Sequence, residues 1–234
     1  MSYISIEKRG RIIILKINNA TKLNAMDSSL MKELAKTISK LSKDKSSDVI
    51  ILTGSGKSFI SGGDIKEMLT FDSKKAFKFA LVGKSLIKSI LNSEKAIIAS
   101  VNGFALGGGS EVALACDIVV ASKEAIFGQP ESKLGLIPGF GGTQLLTKNL
   151  SLHKAKELIF RGNMINAEEA YSIGLVNYIA KNPLNKSIEI ANEIILNSPY
   201  AVKEAKKLLN KDLIKNFKEE SKIYANCFSN KDSK

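Results

Sequence analysis

Three stretches of this sequence set glycines beside a carboxylate: FISGGDIKEM at 59–68, NGFALGGGSE at 102–111 and FGQPESKLGLIPGFGGTQ at 127–144. Glycine lets the backbone approach a ligand closely and leaves its N–H groups uncovered. At a helix start those N–H groups lack internal partners and favour negative charge. A carboxylate next to such donors joins a proton-transfer group to a site that can hold a growing oxyanion.

The middle stretch states this most clearly. A helix starting near Gly107 puts Gly108 and Glu111 three residues apart on one face. Helical side chains lean toward the N-terminus, so the Glu111 carboxylate then lies over the turn that exposes the Gly108 N–H. The same residues fit a plainer role equally well, with the glycines serving tight packing and Glu111 a first-turn charge near the helix dipole. Glu131 has no comparable geometric argument, being a loop carboxylate that follows a proline.

Alternating short strands and helices must position these stretches. Strands are expected at 3–8 and 11–17, joined by a turn at Gly10, and at 48–53, 96–101 and 117–121. Asp27 can cap a helix running to about Leu41, with Met31, Leu34, Ala35 and Ile38 on one face. Further helices are expected just after Asp64, over 74–91, and from near Gly107 through Ala115. The spans 54–64, 103–109 and 128–143 read as loops. From Gln144 onward the pattern is mainly helical. Ser198 and Pro199 mark a helix start, with Val202, Ala205, Leu209 and Leu213 along one face. The alternation gives an α/β class with a helical C-terminal part.

The totals narrow the chemistry. At 234 residues the chain can bury a full core. No apolar run reaches the ~18–20 residues of a membrane span, and MSYISIEKRG lacks a signal-peptide layout, so the chain reads as soluble and cytoplasmic. Cys116, Cys227 and His153 cannot make a four-ligand zinc set, so no metal site is expected. Cys116, inside VALAC, reads as a buried free thiol. The net charge is +12, but only Arg9, Arg11 and Arg161 are arginines, the residue that base and phosphate readers favour. Nucleic acid is therefore not the expected partner. VIILTGSGKS resembles a phosphate loop, but the required first glycine falls on Ile51. GFGGTQ lacks the last glycine of a dinucleotide fingerprint. His153, in SLHKAKEL, reads as the start of an exposed helix and not as a catalytic base.

Taken together and in order, the three stretches resemble the crotonase superfamily, the enoyl-CoA hydratase/isomerase family. KLNAM at 22–26, the spacing between the loops and AEEAYSIGLV at 167–176 extend the similarity over about 3–230. The resemblance implies a crotonase-like ββα superhelix over 1–180 and a helical C-terminal region over 181–234, shortened relative to the family pattern and used for trimerisation. It implies a coenzyme A thioester as substrate, no cofactor, and a homotrimer or a hexamer built as a dimer of trimers. By position, the Gly63 and Gly108 N–H groups would form the oxyanion hole. Glu111 and Glu131 match the two hydratase glutamates, and Gly139 a glycine that helps position the attacking water. Lys22, Asn24, Ala25, Ser61, Asp64, Ile65, Lys66, Phe104, Leu106, Gly107 and Pro130 match segments lining the substrate and coenzyme A site. The implied activity is hydration of a trans-2-enoyl-CoA, or the reverse. The alternatives are a Δ3-Δ2-enoyl-CoA isomerase and a non-catalytic or RNA-binding protein of the same fold.

Overall fold

The computed structural model describes residues 3–211 and 217–228. Strands β1 (Ile4–Arg9) and β2 (Ile12–Ile17) form an antiparallel hairpin. Its turn places Gly10 at φ +57°, where a side chain would be strained. Helix α1 (Ser28–Ser42) begins at Asp27, whose carboxylate accepts the Leu30 N–H at 2.8 Å. The expected face of α1, Met31, Leu34, Ala35 and Ile38, is buried.

The chain then moves repeatedly between two sheets. Strand β3 (Val49–Gly54) joins the first sheet and β4 (Ser58–Ile60) the second, followed by α2 (Ile65–Met68) and α3 (Ser73–Leu91). Strands β5 (Ala96–Val101) and β6 (Phe104–Leu106) repeat the step and lead into α4 (Gly108–Ala115). Strands β7 (Ile118–Ala121) and β8 (Ile126–Gly128) repeat it again, ending in a 3-10 turn at Pro130–Leu134. This is the repeated ββα unit that the family resemblance implies. Helices α5 (Gly142–Asn149) and α6 (Leu152–Arg161), strand β9 (Met164–Asn166), helix α7 (Ala167–Ser172) and strand β10 (Tyr178–Ile179) follow. Helices α8 (Pro183–Ile195), α9 (Pro199–Leu209) and α10 (Phe217–Cys227) complete the described chain.

The larger sheet has the order β1-β2-β3-β5-β7-β10, and the smaller β4-β6-β8-β9. Strands β3 and β5 are buried on both faces and therefore read as continuous apolar runs. Period-two alternation in β2 sends Leu15 and Ile17 to the core under α1 and α3. It sends Ile12 and Ile14 to a second cluster under α8.

Several sequence expectations are corrected. The spans 54–64, 103–109 and 128–143 are not plain loops: β4 and β6 lie inside the first two, and β8 leads into the third. Three-residue strands between glycines are too short to show a period. The helical C-terminal part also contains β9 and β10. On α9, Val202 packs on the second cluster as expected, but Ala205 and Leu209 are exposed and the buried residue is Lys206. Its ammonium donates to the Lys95 carbonyl at 3.0 Å and pairs with Asp117 at 2.7 Å. That anchor, together with Val202, turns the helix so that Leu209 faces outward. Leu213 lies outside the described residues.

Candidate active site

The three glycine–carboxylate stretches converge because β4, β6 and β8 are parallel neighbours. Parallel strands deliver their C-terminal ends to one edge, where ligands of open α/β sheets bind. Ser61 to Gly63 follow β4, Gly107 and Gly108 follow β6, and Gln129 to Glu131 follow β8.

At the first end, Met26 donates its N–H to the Gly62 carbonyl at 2.8 Å and accepts the Asp64 N–H at 2.9 Å. This bridge fixes the Gly63 peptide from both sides. Among the described residues no carbonyl takes the Gly63 N–H. At the second end, Gly107 adopts φ +51°, ψ −122°, and a Cβ there would sit 2.9 Å from Glu131 Oε1. Only glycine permits both the turn and the close approach. Helix α4 starts at the next residue, so the Gly108 N–H is an uncommitted first-turn donor.

Glu111 lies on the first turn of α4 and is 1% exposed. Its Oε1 accepts the Phe140 N–H at 2.8 Å and the Gly142 N–H at 2.6 Å. The carboxyl thus grips the loop that carries Gly139, besides facing the cavity. Burial raises its pKa well above the usual carboxylate range, and the Glu131 and Glu220 carboxylates add to the rise. Glu131 sits on the first 3-10 turn after β8. Burial, with a further push from Glu220, raises it to about 7. The buried Gln129 amide, turned so that its NH2 group faces Glu131, donates to both carboxylate oxygens at 3.1 Å.

Both glutamates line one cavity of about 100 Å³ with Gly63, Gly108, Ser61, Ile65, Gly107, Pro130 and Gly139. Phe79, Leu136, Phe140 and Tyr224 supply its apolar wall. An adjoining apolar groove of about 230 Å³ shares Ile65, Met68, Leu134 and Leu136 and extends to Phe71 and Phe228. The remaining sequence candidates lie outside the cavity lining. Lys22 and Asp64 form an ion pair at 3.0 Å, with Lys22 exposed. Lys66 is exposed, and Ala25, Phe104 and Leu106 are partly buried. The Asn24 side chain is fully buried, accepting the Asn19 N–H and donating to the Ser55 and Ser58 carbonyls. It shapes the loop between β3 and β4, the stretch that mimicked a phosphate loop.

Sequence reasoning missed Gln129, Phe140 and Tyr224. The first two sit inside motifs already singled out. Tyr224 arrives from α10 and has no local signal. His153 is exposed on α6, as expected, and Cys116 is a buried free thiol. Among the described residues no group of three or more His, Cys, Asp or Glu could hold a metal ion, and no helix is long and apolar enough to cross a membrane.

Two carboxyls with raised proton affinity share a cavity with two N–H groups that no backbone carbonyl takes among the described residues, the class of site able to move protons beside an oxyanion. Comparison with known proteins makes this specific. Residues 7–234 match the family model described as enoyl-CoA hydratase/isomerase, and the chain belongs to that family. It is 42% identical to the short-chain-enoyl-CoA hydratase of Clostridium acetobutylicum, over 100% of this chain and 92% of that protein. It is 37% identical to the crotonyl-CoA hydratase of Syntrophomonas wolfei, over 99% and 92%. The crystal structure of an enoyl-CoA hydratase from Bacillus anthracis superposes with a TM-score of 0.85 at 34% identity, covering 88% of this chain and 81% of that one.

Proposed function

We propose that this enoyl-CoA hydratase uses Glu131 and Glu111 to add water across the 2,3 double bond of a short trans-2-enoyl-CoA. The observation that carries the reading is the shared cavity, which Glu111 and Glu131 line together with Gly63 and Gly108. Glu131 takes a proton from water as its oxygen bonds to the β-carbon. The π electrons move through the α-carbon onto the thioester oxygen. That oxygen accepts the two N–H groups, each worth ~3–4 kcal/mol as charge builds. The enolate then collapses, and its α-carbon takes the proton from Glu111. The product is a 3-hydroxyacyl-CoA, and the proton on Glu131 returns to Glu111 or to solvent. The raised pKa values suit these roles: Glu131, at about 7, can take or release a proton near neutral pH, and burial helps Glu111 keep the proton it delivers. The step as written uses no metal or redox cofactor.

The small cavity and the Clostridium relative's name both support a short acyl chain. Exposed Lys22 and Lys66, flanking the loop after β4, suit the phosphates of coenzyme A. Phe160, Met164 and Tyr171, exposed around β9, offer an apolar surface for a neighbouring copy in a homotrimer or a dimer of trimers. A cytoplasmic setting fits the two unpaired cysteines.

Loss of enoyl thioester absorbance with crotonyl-CoA tests the assignment. Glu111→Gln and Glu131→Gln are each expected to lower kcat by about a hundredfold or more. Full activity in either variant would sink the assigned roles. Supplying a cis-3-enoyl-CoA in parallel shows whether isomerisation competes.

A further inference from the structure

The most buried ion pair of the described chain lies behind the active site, and the hydration step as derived above leaves it unused. Lys84 on α3 and Glu220 on α10 meet at 2.9 Å, with side chains 3% and 2% exposed. Burying two charges is costly unless their remaining hydrogen-bonding positions are filled. Here the catalytic loop helps fill them. Lys84 donates to the Gly139 carbonyl at 2.7 Å. Glu220 Oε2 accepts the Thr143 N–H at 3.1 Å and the Thr143 hydroxyl.

The Gly139 carbonyl and the Phe140 N–H belong to one peptide unit. Lys84 holds its oxygen, and Glu111 accepts its N–H at 2.8 Å. A cation at one end of an amide and a carboxylate at the other polarise it in the same sense. The loop from Gly139 to Thr143 is thus held from the front by Glu111 and from behind by Lys84 and Glu220.

We propose that Lys84 and Glu220 are positioning residues for hydration, fixing the Gly139–Thr143 loop against Glu111 and balancing the charge behind the two catalytic carboxyls. Among the described residues, Glu111 on α4 and Glu131 after β8 feel the Glu220 charge, and Tyr224 lies one turn further along α10. Cys227 lies at the outer end of the same helix. Burial keeps the Tyr224 phenol protonated, so it contributes no charge. Glu220 pushes both catalytic carboxyls toward protonation, and Lys84 is the cation placed to offset it.

The inference rests on the hydratase reading, so the wild-type chain serves as the control. The experiment measures kcat, KM and the pH profile of crotonyl-CoA hydration for K84M, E220Q, K84M/E220Q and T143V. In E220Q a cation remains without its carboxylate, and the rising limb of kcat/KM moves to lower pH by about one unit. In K84M the uncompensated carboxylate moves it to higher pH by a similar amount. In the double variant the limb returns to the wild-type position, while kcat stays about tenfold or more below wild type at unchanged KM. T143V lowers kcat without moving the limb. A merely structural role reduces the active fraction and leaves the limb in place.

The proposal is overturned if the folded single variants leave the limb unmoved or shift it in the same direction. If a single variant does not fold, the double variant decides, because removing both charges of a buried pair is close to neutral for stability. Wild-type kcat in that protein overturns the proposal, and reduced kcat at unchanged KM supports it. If the double variant also fails to fold, T143V decides in the same way. An inactive wild-type chain would instead count against the hydratase reading.

Discussion

Glu111 does two jobs with one carboxyl. Oε1 ties down the Phe140 and Gly142 N–H groups, and the group also faces the cavity. Those two bonds favour the ionised form, but burial and the neighbouring carboxylates outweigh them, and the pKa rises. The sign has a consequence for stability. A folded-state pKa above the usual 4.5 means that the fold binds this proton more tightly than the unfolded chain does. The contribution is complete below about 4.5 and is lost as pH rises through the raised value. Glu111→Gln keeps an acceptor for both N–H groups and removes the titration. Its melting temperature is therefore expected to exceed that of the wild type at neutral and alkaline pH, with the gap closing as pH falls toward 4.5. Calorimetry across that range checks this, and a gap that widens on acidification contradicts it.

The element that closes one side of the cavity is α10. It brings Tyr224 to the cavity wall, where the ring packs on Gly139 so closely that a Cβ there would sit 2.8 Å away. Phe140 and Phe79 continue the wall, with ring centroids 5.5 Å apart. In the folded chain α10 provides a cover, packing along α3 and held there by the Lys84–Glu220 pair. Tyr224→Ala should open the cavity toward the apolar groove that reaches Phe228. The ratio of kcat/KM for an eight-carbon enoyl-CoA to that for crotonyl-CoA is expected to rise roughly tenfold. An unchanged ratio would place the length limit elsewhere.

At the scale of the whole molecule, the two sheets divide the work. The larger sheet is core, packed under α1 and α3 on one face and α8 on the other. The smaller sheet, built of three-residue strands, delivers the site. Phe160, 72% exposed, and its neighbours Met164 and Tyr171 are apolar side chains that a single copy leaves in water. Native mass measurement is expected to give three or six chains. Phe160→Glu should shift the population toward smaller species, and a monomeric wild type would dismiss this surface as an assembly face.

The sequence by itself determined the long elements and much of the chemistry. The period of α1, the buried runs of β3 and β5, the caps at Asp27 and Ser198, and the placement of Glu111 after Gly107 and Gly108 are all local, set by residues within one or two turns of each other. The role proposed for Glu131 comes only through likeness to a family, because nothing near it fixes a direction in space. Tertiary structure alone decided that β4, β6 and β8 lie parallel and side by side, since each is too short to announce itself and gains its place from its neighbours. It also decided what stands behind the catalytic loop. Lys84 and Glu220 are distant in sequence and look like ordinary surface charges on two helices. Only the packing of α10 on α3 buries them together, where burial makes their pairing obligatory.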